Sequence, residues 1–251
     1  MINKDYLYTK IWDDLSSVVL ELNALYLYAQ DPEDRSRHCS SNLSTNNIDA
    51  IFEEVSINDN DQMLVSSNNS IVPLSSADAI GSFFSSYTFR VLYLEVTGMC
   101  CRLVAPLMKY AIENSIEIRV VYSEPKEYLL REFQKEGLNK DLSESVAGVN
   151  PLPGFIRLVP FKEEPLFVTL LGFEGGRFSY LVTNKQPSYD KILPIVGVPG
   201  YRMYYPFETF WGNRNALKTT KAYERVVYAE ANSIVDSYLT LGKISDRKSV
   251  V

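Results

Sequence analysis

The stretch FRVLYLEVTGMCCRLVAPLMKYAIENSIEIRVVYSEP, residues 89–125, decides the fold. Two apolar runs of strand length flank a segment whose apolar residues recur at helical spacing. The turn Thr97-Gly98-Met99 separates the first run from the helical segment, and Asn114-Ser115 ends that segment. This order predicts a βαβ unit with parallel strands, both of them covered by helices.

The composition is that of a globular protein with room for a large core. The chain has 251 residues, of which 46% are apolar, and no apolar run reaches the roughly 18–20 residues that span a bilayer. No basic segment followed by an apolar one opens the chain, so no signal peptide is predicted. Three cysteines, two of them adjacent, indicate reduced thiols. We therefore expect a soluble, cytoplasmic protein without a membrane partner.

Charge and missing motifs exclude several classes of function. The net charge of −6 argues against nonspecific binding to nucleic acid, although it allows a local basic pocket for a small anion. The single histidine, His38, argues against metal sites built on histidine clusters and against Ser-His-Asp catalysis. Neither GxxxxGK[ST] nor GxGxxG occurs, so the P-loop and dinucleotide fingerprints are absent. The sequence predicts no cofactor and no metal.

A linker divides the chain into two similar halves. NPLPGF, residues 150–155, has two prolines and a glycine, which break regular elements. On each side of it a strand ends near an arginine, Arg35 or Arg177, and a helix and a strand follow. We interpret the halves, 1–149 and 150–251, as two Rossmann-like repeats of an α/β protein, with mostly parallel sheets flanked by helices.

The second repeat is expected to be irregular and incomplete. Pro194 predicts an edge position or an irregularity in its strand, because proline donates no ladder hydrogen bond. Ser76 and Ser233 stand at matching helix starts, an offset of 233 − 76 = 157, so the strand near Phe89 would recur near residue 246. Residues 246–251, DRKSVV, have no strand or helix pattern. We expect a truncated second sheet with open edges and a non-native tail over 246–251.

Candidate site residues follow the strands, because ligands of parallel sheets bind beyond the strand carboxyl ends. Thr97 and Gly98 could hold a phosphate at the start of a helix. Alternatively, Thr97 serves only as the cap of that helix and Gly98 only as a turn residue. The segment GFEGGR could bind a phosphate or a carboxylate through its two glycines and the guanidinium of its arginine. Alternatively, it forms only a turn with a Glu174–Arg177 pair. The predicted ligand-binding residues are Thr97, Gly98, Glu174, Gly175, Gly176, Arg177 and Arg202; the candidates for acid–base catalysis are Glu124, Glu174 and Glu230.

EVTGMCCRLVAPLMKYA, residues 95–111, resembles the strand–Thr-Gly–helix segment of CARF-type domains. These Rossmann-like domains sense nucleotides in prokaryotic antiviral defence and often carry Thr-Gly-Gly-Thr-Lys after the strand. Thr97 and Gly98 match that pattern, whereas Met99, Cys100 and Cys101 stand in place of Gly-Thr-Lys. The chain is also similar to two-repeat Rossmann-like proteins with GFEGGR- and GVPGY-type segments. The resemblance implies a small nucleotide-like anion as ligand and a second copy or a defence-system protein as partner.

The sequence is compatible with three functions, each from a different class. The first is a sensor that binds a nucleotide-like or other phosphate-bearing anion. The second is a hydrolase of the N-glycosidase or phosphoesterase type that uses carboxylates of the crevice. The third is a scaffold subunit. A buried carboxylate facing the crevice would favour the hydrolase, and a basic pocket without one would favour the sensor.

Overall fold

A computed structural model describes residues 10–30, 34–124, 151–155, 164–231 and 233–248. They belong to two compact units, each with its own sheet. The first unit contains the described residues of 11–124 and 151–155, and the second contains Lys10 and those from 164 onward. The predicted α/β class, with mostly parallel sheets flanked by helices, is confirmed.

The first unit has a six-stranded sheet. Its strands are β1 (Ala24–Tyr28), β2 (Ile51–Ile57), β3 (Gln62–Val65), β4 (Ile71–Pro73), β5 (Val91–Glu95) and β6 (Glu117–Val121). Its helices are α1 (Asp34–Asn46), α2 (Ala77–Ser85) and α3 (Cys101–Glu113). The spatial order is β4-β3-β2-β1-β5-β6, in which β1, β2, β5 and β6 are parallel and β3 and β4 add antiparallel pairings beyond β2.

The two central strands, β1 and β5, supply most of the core. All of β5 and the first four residues of β1 are buried. Leu27 and Leu94 belong to the apolar cluster formed with α2 and α3. Tyr26 and Tyr93 belong to the opposite cluster, into which α1 inserts Leu43. Because alternate residues of a strand point to opposite faces, both faces of these strands must be apolar.

The predicted βαβ unit is confirmed as β5–α3–β6. Val91–Glu95 pairs in parallel with Glu117–Val121 along the whole length of both strands. The prediction that helices cover both strands is wrong for β6, which forms the edge of the sheet and exposes Val120. An apolar run does not reveal which strand of a pair will lie at an edge.

The second unit has a smaller, three-stranded parallel sheet. Its strands are β7 (Phe167–Leu171), β8 (Ile192–Gly197) and β9 (Val227–Ala229), in that spatial order. Its helices are α4 (Gly175–Lys185), α5 (Tyr205–Thr219) and α6 (Ile234–Lys248). Phe178 of α4 and Leu217 of α5 belong to one core cluster, and Ile244 of α6 belongs to another with Ile195 of β8.

The two units share the repeat pattern in part. In both, a strand, a helix and an adjacent parallel strand follow each other, as β1–α1–β2 and as β7–α4–β8. The hydroxyls of Ser76 and Ser233 each accept a hydrogen bond from the N–H three residues on, at 3.2 and 3.1 Å. The units then diverge, since β3 and β4 of the first are antiparallel whereas β9 of the second is parallel.

The end of the second unit differs from the expectation. Helix α6 runs to Lys248, so the predicted lack of helical structure in the tail is wrong for residues 246–248; residues 249–251 lie outside the described part. Within the described ranges, no strand pairs with β7 on the side away from β8. In the first unit the corresponding side of β1 is paired with β5.

The predicted edge position of Pro194 is wrong, because β8 is the central strand of its sheet. Arg225 Nε donates to the carbonyl of Ile192 at 3.2 Å, which shows that this carbonyl points to the side of β9. Pro194, two residues on, faces the same side. Pairing of β8 with β9 begins only at Ile195 and Val227. The missing N–H of Pro194 therefore costs no hydrogen bond with β9.

The linker residues pack on the first unit. Lys109 Nζ of α3 donates to the carbonyl of Gly154 at 2.8 Å and lies 5.1 Å from the ring centroid of Phe155. The described residues 151–155 are thus attached to α3. A division of the chain at 149/150 stays a prediction.

We expect Leu27→Ala and Leu170→Ala to differ widely in stability, although both residues are fourth in matching strands. Leu27 is 0% exposed, so its truncation should lower the free energy of unfolding by about 2–5 kcal/mol. Leu170 is 67% exposed, so its truncation should cost less than about 1 kcal/mol. Urea unfolding of the two variants tests this, and equal losses would contradict the different burial of β1 and β7.

Candidate functional site

The topology of the first unit has a switch point at the carboxyl ends of β1 and β5. These strands are parallel neighbours, but the chain leaves β1 towards β2 on one side and leaves β5 towards β6 on the other. Open parallel sheets bind ligands where the strand order reverses in this way. The residues that follow β1 and β5 are therefore the first to consider.

Glu95, the last residue of β5, is the most unusual side chain at this position. It is 0% exposed, and its Oε1 accepts a hydrogen bond from the N–H of Thr97 at 3.0 Å. Its Oε2 has no hydrogen-bond partner among the described residues. Buried polar atoms nearly always have a partner, so an orphan carboxylate oxygen beside a switch point indicates a missing ligand or water.

Burial raises the pKa of Glu95 above the ordinary glutamate value of 4.5, because the charged carboxylate loses its hydration. Hydrogen bonds from the hydroxyl and N–H of Thr97 and from the N–H of Gly98 act in the opposite direction, as does the charge of Arg35. Burial has the larger effect on the pKa. Glu95 therefore keeps its proton to a higher pH than an exposed glutamate does.

The Thr97-Gly98 turn makes internal contacts. The N–H of Thr97 donates to Glu95 Oε1 at 3.0 Å, and Thr97 Oγ1 accepts from the N–H of Ser123 at 2.9 Å. A Cβ on Gly98 would lie 1.9 Å from the carbonyl oxygen of Ala29. The glycine is thus required because the segment after β1 passes directly against the turn after β5. Contact of Thr97 and Gly98 with an anion stays a prediction.

Arg35, in the first turn of α1, reaches the same region. Its Nη1 donates to the carbonyl of Ser123 at 2.8 Å and to the hydroxyl of Tyr122 at 3.3 Å, and its guanidinium lies 5.6 Å from the Tyr122 ring centroid. These contacts fix a cation near the buried carboxyl of Glu95. A fixed guanidinium is suited to bind a phosphate or a carboxylate.

Two further groups interact with Glu95 from the interior of the unit. The hydroxyl of Tyr26 and the Sγ of Cys39 are 3.7 Å apart, and both side chains are buried. Burial raises the pKa of both groups, and the charge of Glu95 adds to the effect. Cys39 thus remains a neutral thiol at physiological pH and is not activated as a nucleophile.

The GFEGGR segment of the second unit forms an ion pair and a close helix contact. Arg177 Nε lies 2.6 Å from Glu174 Oε2, with the arginine side chain 62% exposed and the glutamate side chain 12% exposed. A Cβ on Gly175 would lie 1.8 Å from the carbonyl oxygen of Gly212 in α5. Packing of α4 against α5 therefore accounts for Gly175. Gly176 follows it in the first turn of α4.

A buried amide lies beside this segment. Asn213 Nδ2 donates to the carbonyls of Gly172 and Thr209, both at 2.8 Å, and its Oδ1 has no partner among the described residues. The amide thereby connects the segment after β7 to α5. It is less unusual than Glu95, because it carries no charge and its donor group is satisfied.

The remaining predicted residues lie in loops. Arg202 is exposed between β8 and α5, and its carbonyl accepts from the N–H of Tyr205 at 3.0 Å. The N–H of Glu230, just after β9, donates to the carboxylate of Asp236 at 2.7 Å. Glu124 is exposed after β6. Thr97 and Gly98 thus follow the central strand β5 of the first sheet, whereas Glu174, Arg202 and Glu230 follow the three strands of the second.

Sequence reasoning missed Glu95; it placed Arg35 beyond the end of a strand, as the counterpart of Arg177, but did not include it among the predicted ligand-binding residues. The signal for Glu95 was present, since it is an ionisable residue that closes the apolar run VLYL directly before Thr97 and Gly98. Glu95 is unusual because its side chain is buried, and the apolar run before it does not predict that burial. No sequence motif marked Arg35 as a binding residue.

Comparisons with protein families, with curated proteins and with solved structures found no match. Within the described ranges, no group of three or more His, Cys, Asp or Glu side chains is arranged to hold a metal ion. In the same ranges, no helix combines the length and the apolar character needed to cross a membrane.

We expect Glu95→Gln to remove a pH-dependent loss of stability. The folded protein holds the Glu95 proton more tightly than the unfolded chain does, so wild-type stability falls as the pH rises from 4.5 through the raised pKa. Glutamine cannot ionise and avoids this loss. Urea unfolding at several pH values should show that the variant is favoured at neutral pH and that the difference disappears in acid. Identical pH profiles would contradict the raised pKa.

We expect Gly98→Ala to lower the free energy of unfolding by about 1–3 kcal/mol, because the new Cβ would overlap the carbonyl of Ala29. Gly172→Ala is the matched control, since a Cβ there meets nothing within 4 Å, and it should change stability by less than about 0.5 kcal/mol. Thermal or urea unfolding measures both. A neutral Gly98→Ala would show that the turn has no close backbone contact.

Proposed function

We propose that the first unit binds a small nucleotide-like, phosphate-bearing ligand at the carboxyl ends of β1 and β5. The observation that carries this proposal is the buried Oε2 of Glu95, which has no partner in the described part of the chain. Its position at the switch point supports the proposal, since this is where open parallel sheets bind ligands. The CARF resemblance supports the same ligand class and a sensor role in antiviral defence.

Arg35 and Glu95 have complementary roles in this proposal. The guanidinium of Arg35 pairs with the anionic group of the ligand. The carboxyl of Glu95, with its raised pKa, can donate a hydrogen bond when protonated and accept one when ionised. A ligand that satisfies both residues needs an anionic group and a nearby hydroxyl or amide. A nucleotide has this combination in its phosphate and its sugar or base.

A thermal-shift panel with inorganic phosphate, AMP, cyclic AMP and cyclic oligoadenylates tests this binding. A nucleotide at a hundredfold excess over its Kd should stabilise the protein by about 2.7 kcal/mol, which raises Tm by several degrees. Each variant is compared with its own ligand-free Tm, because Arg35 also contacts Ser123.

Three variants assign the binding to one unit. Arg35→Ala should abolish the nucleotide-induced shift, and Arg37→Ala, an exposed arginine of the same helix, should leave it unchanged. If Arg177→Ala removes the shift while Arg35→Ala retains it, the ligand binds at the second unit and the proposal for the first is wrong. The absence of any shift across the panel would favour a scaffold subunit.

A hydrolase is the second candidate, and Glu95 favours it specifically, because it is a buried carboxylate beside the switch point and has a raised pKa. A carboxyl that keeps its proton at higher pH can protonate a leaving group, after which water completes the hydrolysis. The candidate substrates are the N-glycosidic bond and the phosphate ester of the same nucleotides.

Product analysis separates the hydrolase from the sensor. If the protein is a hydrolase, incubation with the panel releases free base or phosphate, and Glu95→Gln removes turnover while nucleotide binding persists. If the protein is only a sensor, nucleotides shift Tm and remain intact.

A further inference from the structure

Three polar side chains form a row across the first sheet, at the level of the last residue of β1. Tyr28 of β1 is in register with Glu54 of β2. On the other side, Leu27 of β1 pairs with Leu94 of β5. The residues that follow this pair, Tyr28 and Glu95, are therefore also level. Residues that are level on neighbouring parallel strands point to the same face of the sheet, so Glu54, Tyr28 and Glu95 share one face beside the switch point.

The row lies on the face of the sheet that α1 covers. Tyr26 precedes Tyr28 by two residues and therefore points to the same side of β1, and it belongs to the cluster that contains Cys39 of α1. Arg35 lies in the first turn of the same helix, and its charge acts on Glu95. The row and the fixed guanidinium thus belong to one site.

The row becomes more exposed to solvent from β5 towards β2. Glu95 is fully buried, whereas Tyr28 and Glu54 are partly exposed and Gln30 is exposed. Gln30 Nε2 donates to Glu54 Oε2 at 2.9 Å and so holds one oxygen of the carboxylate in place. Burial raises the pKa of Tyr28, and the charges of Glu54 and Glu53 add to the effect. The phenol of Tyr28 therefore stays protonated at neutral pH and can donate a hydrogen bond.

The charges of the row decide which part of a nucleotide each end can bind. An ionised carboxylate only accepts hydrogen bonds and repels a phosphate, so the phosphate belongs with Arg35 and Glu54 requires a donor. Glu54 and Glu95 lie two strand spacings apart, roughly 10 Å, so the row is wider than one phosphate group. The part of a nucleotide next to its phosphate is the sugar, and a ribose carries hydroxyls that can donate to a carboxylate.

We propose that Glu54 accepts a hydrogen bond from the 2′-hydroxyl of the bound nucleotide, so that the site prefers ribonucleotides to deoxyribonucleotides. This inference rests on the binding site proposed at β1 and β5, and it names the part of the ligand that this site selects. Gln30 is a positioning residue, because it holds Oε2 of Glu54. Tyr28 lies between the two carboxyl groups of the row, and its phenol donates to an oxygen of the ligand.

Calorimetric titration of the full chain with AMP and with 2′-deoxy-AMP tests this inference. The wild type should bind AMP at least about tenfold more tightly, because the deoxy sugar leaves the carboxylate without its donor. The ratio should stay below that of a fully buried site, since water can reach the partly exposed Glu54. The same ratio should hold for GMP against 2′-deoxy-GMP, because the base takes no part in this contact.

Three variants complete the test. Glu54→Ala should bind AMP as weakly as 2′-deoxy-AMP, and it should bind 2′-deoxy-AMP as the wild type does. Glu54→Gln keeps the size of the side chain and removes its charge, so it should lower the ratio as well. Glu113→Ala removes an exposed glutamate at the end of α3 and should keep the wild-type ratio. The ligand-free Tm of each variant shows that it is folded.

The outcomes separate this inference from the proposed function. If the wild type binds AMP and 2′-deoxy-AMP equally, or if Glu54→Ala keeps the wild-type ratio, the contact with the 2′-hydroxyl is wrong although the nucleotide site stands. If neither nucleotide binds, the proposed function is wrong as well.

Discussion

The parallel pairing of β1 with β5 organises the first unit, because both strands are buried on both faces. Two apolar faces require two layers of helices, so α1 covers one side and α2 and α3 cover the other. The chain leaves the two strands in opposite directions, so their carboxyl ends form the topological switch point of the sheet. Glu95 is the last residue of β5. Its carboxyl is buried, and burial raises its pKa. Its Oε2 has no hydrogen-bond partner among the described residues.

The second unit shows what a similar pattern becomes when a neighbouring strand is missing from the described part. β7 pairs with β8 as β1 pairs with β2, but no described strand adds to its other side. Leu170 of β7 is 67% exposed, whereas Leu27 at the matching position of β1 is fully buried. The sheet of this unit has three strands instead of six, so it offers its helices a smaller surface to cover. Helix α5 of this unit exposes Phe207 and Trp211 to solvent.

The glycines that suggested ligand binding have a structural role in both units. Gly98 lets the segment after β1 approach the turn after β5, with its missing Cβ directed at the carbonyl of Ala29. Gly175 lets α4 approach α5 at Gly212. In each case protein backbone occupies the space that a glycine leaves open. The case for a ligand rests instead on the unsatisfied carboxyl of Glu95 and the fixed guanidinium of Arg35, which belong to different elements.

The sequence by itself determined the features that depend on neighbours close in the chain. Apolar spacing within residues 89–121 was sufficient to predict β5, α3, β6 and their parallel order, and two capping serines marked the starts of α2 and α6. Only the tertiary structure decided that β6 is an edge, that Pro194 lies in a central strand, and that Glu95 rather than Glu174 is the fully buried carboxylate. The physical reason is that helix periodicity and capping act over three or four residues. Burial, pairing and pKa are instead set by side chains and strands that come from distant parts of the chain.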